Sequence, residues 1–368
     1  MKSKITVPTL LLDRQKCLNN IQRMVDKAKQ QNLVLRPHFK THQSSSVGRW
    51  FRQAGVDKIT VSSLRMAEYF ANDHWLDITV AFPVNLLEID LINRLAPYVQ
   101  LNLLVESAES VQFLDRHLRR PVELFIKIDV GTHRTGLPSD AHDAIQKILE
   151  KIQGSKTMHF AGFLAHAGHT YKARSKEAIQ AIHHDYLAQM ASLKATYVHD
   201  FPNLLISVGD TPSCSLMDSF PGADEIRPGN FVFYDTTQVE IGSCKIEDVA
   251  VAMACPVVAV HPERHEVVVY GGGIHFSKDR LVYANGTEVY GTLVELLPSG
   301  WRLPDGPPAY LKSLSQEHGI AKVSPQLAQS VKPGDLLTFL PVHSCMTADL
   351  MKHYRTTDGE YIEMMKYL

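Results

Sequence analysis

The sequence predicts an α/β protein: an N-terminal (β/α)8 TIM-type barrel over residues 1–242 and a C-terminal antiparallel β-domain over residues 243–368. Three observations carry this reading. Short apolar runs alternate with amphipathic helical patterns through the first part of the chain, which implies parallel strands joined by helices. Eight such runs occur, the number that closes a barrel. After about Tyr234, valine-rich runs succeed one another across tight turns, which implies antiparallel pairing.

Thr6 to Leu12 reads as a first extended segment, and Asp13 can cap the helix that follows. In that helix Leu18, Ile21, Val25 and Ala28 share one face, with Arg and Lys opposite. The eight barrel strands are then Leu33–Leu35, Lys58–Val61, Asp77–Ala81, Leu101–Val105, Glu123–Asp129, His159–Ala165, Leu204–Val208 and Asp224–Ile226. The intervening helices are Ser44–Ala54, Leu64–Ala71, Leu86–Leu95, Ser107–His117, Ser139–Ile152 and Lys176–Ala195. The last interval, Thr211 to Gly222, holds little more than a turn of helix. In the β-domain, Val249–Val260 and His265–Tyr270 flank the turn His261-Pro262-Glu263-Arg264. Thr292–Leu297 and Leu336–Val342 continue the pattern, the latter after Lys332-Pro333-Gly334-Asp335.

Composition narrows the function. A net charge of −1 without a basic block argues against nucleic acid. No apolar run is long enough to span a bilayer, and no signal peptide is apparent at the N-terminus. The five cysteines, Cys17, Cys214, Cys244, Cys255 and Cys345, are odd in number and include no CxxC pair, which fits free thiols in a reducing cytoplasm.

The stretch around which the chain is organised is Leu33 to His42, LVLRPHFKTH. Lys40 follows the first strand in a turn with His38, Thr41 and His42, and apolar residues upstream can bury it. A partly desolvated lysine near other cations has a lowered pKa, and its free amine can attack a carbonyl to form a Schiff base. Barrel enzymes place active residues where strands end. Here the fifth strand is followed by Asp129-Val130-Gly131-Thr132-His133-Arg134, the sixth by His166-Ala167-Gly168-His169-Thr170-Tyr171, the seventh by Gly209-Asp210-Thr211-Pro212-Ser213 and the eighth by Arg227-Pro228-Gly229-Asn230. The last two clusters have the character of a phosphate cradle: glycines admit backbone N–H groups to an anion, and Thr211, Ser213 and Asn230 add donors. Arg134 offers a planar donor fork suited to a phenolate or carboxylate, and Tyr171 can reach the phosphate. His166 and His169 are candidates for a proton carrier near neutral pH. A lysine for a Schiff base plus a phosphate cradle is what pyridoxal 5′-phosphate requires. In the β-domain, PVHSCMTAD puts His343 and Cys345 two apart at the end of an apolar run, where strand alternation aims both at one face. Imidazole plus thiolate favours zinc, and two protein ligands leave positions open for water or substrate. Asp349 and Glu317 are acids nearby in sequence.

RPHFKTH, DVGTHRTG, HAGHTY, GDTPS, EIRPGNFVFYD and HSC together resemble the D-serine dehydratase and D-threonine aldolase family, fold-type III pyridoxal-phosphate enzymes related to alanine racemase. The resemblance covers nearly the whole chain. It implies Lys40 as the cofactor lysine and catalytic base, Arg134 near the cofactor's phenolic oxygen, and Tyr171, Thr211, Gly229 and Asn230 at its phosphate. His166 joins the cofactor-binding set, and His343 with Cys345 forms the metal pair, for zinc first and manganese or magnesium otherwise. The expected reaction is elimination from a D-3-hydroxy amino acid, D-serine giving pyruvate and ammonia. Retro-aldol cleavage is the nearest alternative, and racemisation or cofactor binding without catalysis the more distant ones. Aldolases of the family tend to carry HxD where dehydratases carry HxC, so Cys345 favours dehydration. A homodimer is also implied, with a small D-amino acid as the only other partner.

Overall fold

A computed structural model describes residues 5–297 and 300–366. Two compact units account for them: a barrel unit, Gln22–Lys40 with Val47–Gly229, and a β unit made of the segment ending at Ile21, Thr41–Ser46, and the chain from Asn230 onward.

The barrel strands, in chain order, are Val34–Leu35, Lys58–Val61, Asp77–Pro83, Gln100–Val105, Val122–Asp129, Met158–Ala165, Leu205–Val208 and Glu225–Ile226. All pair in parallel with their sequence neighbours, and the eighth pairs with the first. A parallel bridge from His38 to Thr60 closes the ring between the first and second, with Phe39 N–H on Thr60 O at 2.8 Å and Thr60 N–H on Pro37 O at 2.9 Å. The expected (β/α)8 barrel is therefore present. Side-chain caps start its helices: Ser63 Oγ accepts from Met66 N–H, Ser107 Oγ from Ser110 N–H and Ser175 Oγ from Ala178 N–H.

The barrel interior is partly ionic. Buried Arg36 bonds Glu225 through Nε (2.9 Å) and Asp77 through Nη1 (2.6 Å). Asn102 donates to the same Asp77 oxygen, Ser207 Oγ to Glu225, and Arg227 Nε to Ser207 Oγ. The charges are cross-paired, which is what makes their burial tolerable; removing one partner of such a set costs about 3–5 kcal/mol.

The β unit holds a closed six-stranded antiparallel ring: Val251–His261, Glu266–Tyr270, His318–Lys322, Tyr310–Leu314, Gly291–Leu297 and Leu336–Pro341, whose last member pairs back to the first. The sheet extends through Thr9–Leu12, antiparallel to Val251–Ala254 and parallel to His353–Thr356. The first extended segment thus serves the β unit. In the glycine run 271–273, an added Cβ at Gly272 would collide with Gln316 O and one at Gly271 with Cys255 Sγ, so these glycines serve close packing. Among the described residues no helix is long and apolar enough to cross a membrane.

Candidate active site

The lysine turn splits its burial. Phe39, Thr41 and His42 are buried, and Lys40 is exposed. Phe39 sits within 5.1 Å of Phe51, Phe70 and Trp75, ring centre to ring centre, and anchors the turn. Lys40 N–H donates to His38 Nδ1 at 3.3 Å, so His38 holds the turn's shape. The expectation of a desolvated Lys40 is corrected: the apolar surroundings take Phe39, and the next residue points the other way. The desolvated lysine is Lys127, on the inward face of the fifth strand. Burial, with Arg227 and Arg134 beside it, lowers its pKa to about 7, and its Nζ donates to Ile128 O at 2.8 Å.

At the strand ends, His166 donates from Nδ1 to Gly209 O at 2.8 Å. Burial lowers its pKa to about 3, and the charges of Lys40, Arg227 and Lys127 act in the same direction. His166 is therefore held neutral, with its Nδ1 proton on Gly209 O. His169 shares a hydrogen bond with Thr132 Oγ1. Tyr171 Oη accepts from Thr211 N–H at 3.2 Å. Asp210 caps the short helix Thr211–Leu216, accepting from Ser213 N–H and from Thr170 Oγ1. Burial raises its pKa to about 6. Gly209 has φ +138°, and a Cβ there would lie 2.6 Å from Arg227 N, so the glycine is required by backbone packing. Arg134 is exposed on its loop, and Gly229 is buried where the barrel unit ends.

The other candidates lie in the β unit. His343 and Cys345 do not alternate along a strand. The strand ends at Pro341, His343 caps a helix, and Cys345 occupies the first turn of Ser344–Met351. The apolar run gives way to a helix because Asp235 accepts from Ser344 N–H and Oγ, and Thr347 Oγ1 bonds His343 O. His343 Nδ1 donates to Asp279 at 2.9 Å, and the same ring hydrogen-bonds Cys345. Burial opposes its positive charge, but Asp279, Cys345 and Asp235 outweigh burial and hold it at about 11. Asn230 Nδ2 donates to Asp235 (2.7 Å) and Ser344 Oγ (3.0 Å), and lies 3.5 Å from Cys345 Sγ. Thr41 Oγ1, from the residue after Lys40, lies 3.3 Å from that sulfur. Asp349 bonds Gln43 and Lys352, and Glu317 acts on His275. The acid on His343 is Asp279. No local spacing signals it, because the contact spans 64 residues. Lys127 did leave a signal: it is the one cation in the strand pattern LFIKID.

The alanine racemase, N-terminal domain model matches residues 12–237. The chain belongs to this family. The rest of it matches the "Putative serine dehydratase domain" over residues 250–357. Within the alanine racemase-like enzymes it groups with D-serine dehydratases and D-threonine aldolases. It is 29% identical to the D-threo-3-hydroxyaspartate dehydratase of Delftia sp. (strain HT23), over 95% of this chain and 94% of that one. It is 26% identical to the D-serine dehydratase of Dictyostelium discoideum, over 97% and 95%. The solved structure of the Delftia enzyme superimposes with a TM-score of 0.90 at 28% identity, covering 99% of both chains. A cysteine-to-alanine mutant of it, solved in a metal-free form, gives the same TM-score, identity and coverage.

The residues present fit a phosphorylated aldehyde cofactor. Thr211 Oγ1 is buried without a hydrogen-bond partner among the described residues, where a phosphate oxygen would satisfy it. An exposed lysine amine in the same unit acts electrostatically on His166. They also fit a divalent metal. Imidazole and thiol already meet, and no group of three or more His, Cys, Asp or Glu arranged for a metal occurs among the described residues. Two protein donors leave the remaining positions to water or substrate.

Proposed function

We propose that the protein is a pyridoxal-phosphate- and metal-dependent lyase that removes water from D-3-hydroxy amino acids, converting D-serine to pyruvate and ammonia. The observation that carries this reading is the meeting of imidazole and thiol at His343 and Cys345, where Thr41 Oγ1 and Asn230 Nδ2 also approach the sulfur.

Lys40 would hold the cofactor, with Arg134, His166, Tyr171, Thr211, Gly229 and Asn230 around it. When bound, pyridoxal phosphate supplies an electron sink for the electrons of the Cα–H bond. Lys40 would take the Cα proton. Phe39, packed among three aromatic rings, and His38, on the Lys40 N–H, restrict where that amine can go, and approach from one side selects the D form. His166 stays neutral and offers a flat ring. His343 and Cys345 would hold a divalent metal, which supplies a Lewis acid for the departing 3-hydroxyl. The thiolate favours zinc over manganese or magnesium. Elimination of water followed by hydrolysis releases the 2-keto acid and ammonia. The family resemblance supports a homodimer, and five cysteines that form no disulfide among the described residues support a reducing, cytoplasmic setting.

The test is product analysis on D-serine, D-threonine and D-threo-3-hydroxyaspartate, with and without chelator. Keto acid and ammonia, suppressed by chelation, are expected. Glycine plus an aldehyde would replace elimination by aldol cleavage, and chelator-insensitive keto acid would remove the metal from the chemistry.

A further inference from the structure

We infer that Asp279 is a positioning residue: by accepting the Nδ1 proton of His343, it fixes which ring nitrogen of that histidine, Nε2, is offered to a divalent cation beside Cys345 Sγ. This rests on the metal reading above and adds a residue to it.

The geometry is asymmetric. An ionised carboxylate only accepts, so at 2.9 Å from Nδ1 it requires that nitrogen to carry the hydrogen. Nε2 is then the nitrogen left for Cys345, which the same ring also bonds. Asp279 is not a third ligand, since it occupies the far side of the imidazole and no three-donor grouping occurs among the described residues. Carboxylates behind metal-bound histidines act in this way, setting tautomer and ring angle.

Asp279 is itself held in place. Ser277 Oγ donates to its Oδ2 at 3.1 Å, and Asp279 N–H returns a bond to that hydroxyl at 3.2 Å. Ser277 has φ +73°, a conformation costly for a residue with a Cβ, which persists only where the surroundings over-determine it. One such restraint is the bond from Thr347 Oγ1 to Phe276 O at 3.1 Å, which ties this segment to the helix bearing Cys345. The ion pair itself is a weak source of stability. His343 and Asp279 side chains are 43% and 46% exposed, and pairs that open to solvent contribute little to folding. What the contact does is orient the ring.

The experiment measures zinc affinity directly. Full-length protein carrying its cofactor is stripped of divalent cations and titrated with zinc in competition with a chromophoric chelator. Asp279→Ala should weaken zinc binding about 10–100-fold with melting temperature and cofactor absorbance unchanged. Asp279→Asn, whose side-chain carbonyl still accepts from Nδ1–H, should recover most of that loss. His343→Ala and Cys345→Ala should abolish the site. Wild-type affinity in Asp279→Ala, with the site lost in His343→Ala, overturns the positioning role and leaves the metal reading standing. Loss in both Asp279 variants as complete as in Cys345→Ala makes Asp279 a ligand and also overturns it. Unchanged zinc binding in His343→Ala and Cys345→Ala overturns the metal reading itself, and the Asp279 role with it. Should Asp279→Ala not fold, Ser277→Ala removes the hydroxyl that orients the carboxylate: affinity should fall, and an unchanged affinity overturns the proposal.

Discussion

His166 in the barrel unit and His343 in the β unit are the same side chain in opposite electrical surroundings. Both are desolvated, and desolvation pulls both away from the charged form. His166 faces Lys40, Arg227 and Lys127, donates to a carbonyl, and ends at about 3. His343 faces Asp279, Cys345 and Asp235 and ends at about 11. The difference teaches that burial keeps a histidine neutral unless acidic neighbours face the ring and outweigh it. One becomes a ring that never charges. The other is a ring whose proton the surrounding acids hold in place.

The largest effect should come from the cation side. Lys40→Ala should lower D-serine turnover by at least about 10^3-fold, since it removes both the cofactor's attachment and the base at Cα. Borohydride reduction followed by peptide mapping should find the cofactor on Lys40 in the parent and nowhere in the variant. Recovery on Lys127, the lysine with the lowered pKa, would move the chemistry from the turn after the first strand to the fifth strand and break the comparison. The His166 shift should barely relax in this variant, because burial is its first cause.

On the other side, Cys345→Ala removes one of the two side chains, His343 and Cys345, that would hold a cation. Keto-acid production should drop by several kcal/mol of transition-state stabilisation, on the order of 10^3-fold, while borohydride still fixes the cofactor on Lys40. Full activity in a verified metal-free enzyme would return His343 to a structural role.

A third histidine sharpens the comparison. His42 lies in the β unit with His343; burial takes it to about 3, against a backbone hydrogen bond with Ser44 that raises it. Its folded pKa is depressed below the ordinary 6.5, so its contribution to stability is full above 6.5 and is lost as pH falls toward 3. Between pH 6.5 and about 4.5, urea unfolding should show the parent losing up to about 3 kcal/mol more than His42→Gln. Parallel losses would mean that location in the unit, and not the neighbours' sign, sets these values.

The smallest effect has the reverse sign. Asp210 is raised from 3.8 to about 6 by burial, so its contribution is full below 3.8 and declines as pH rises through 6. Asp210→Asn keeps an acceptor for Ser213 N–H and should flatten that decline by about 1 kcal/mol, less than the full shift because the ionised form also accepts hydrogen bonds.

Much of the architecture was legible because periodicity is local. Lys58–Val61 is marked by its own residues to its ends, and the valine runs read as 249–260 and 265–270 form strands at 251–261 and 266–270. The site was legible where a motif is contiguous, as in RPHFKTH or GDTPS. It was not legible where the chemistry depends on which way a side chain turns. Phe39 and Lys40 look equally placed for burial in sequence, and three aromatic rings settle the matter for Phe39. His343 and Cys345 read as strand alternation because nothing in PVHSC reveals that Asp235, far upstream, will cap a helix there. Asp279 is invisible for the same reason: a contact across 64 residues leaves no local pattern.

The pairing of Thr9–Leu12 with Val251–Ala254 has a consequence for how the protein is made. Translation runs from the N-terminus, so this fully buried apolar strand is made before the barrel strands and waits for a partner that follows all eight of them. At about 5–20 residues per second the wait is roughly ten seconds to a minute. Through that interval the nascent chain carries an unsatisfied strand edge, a surface that chaperones bind and that like strands on neighbouring polysomes can meet. The order of synthesis thus favours completing the barrel strands before the sheet that contains Thr9–Leu12.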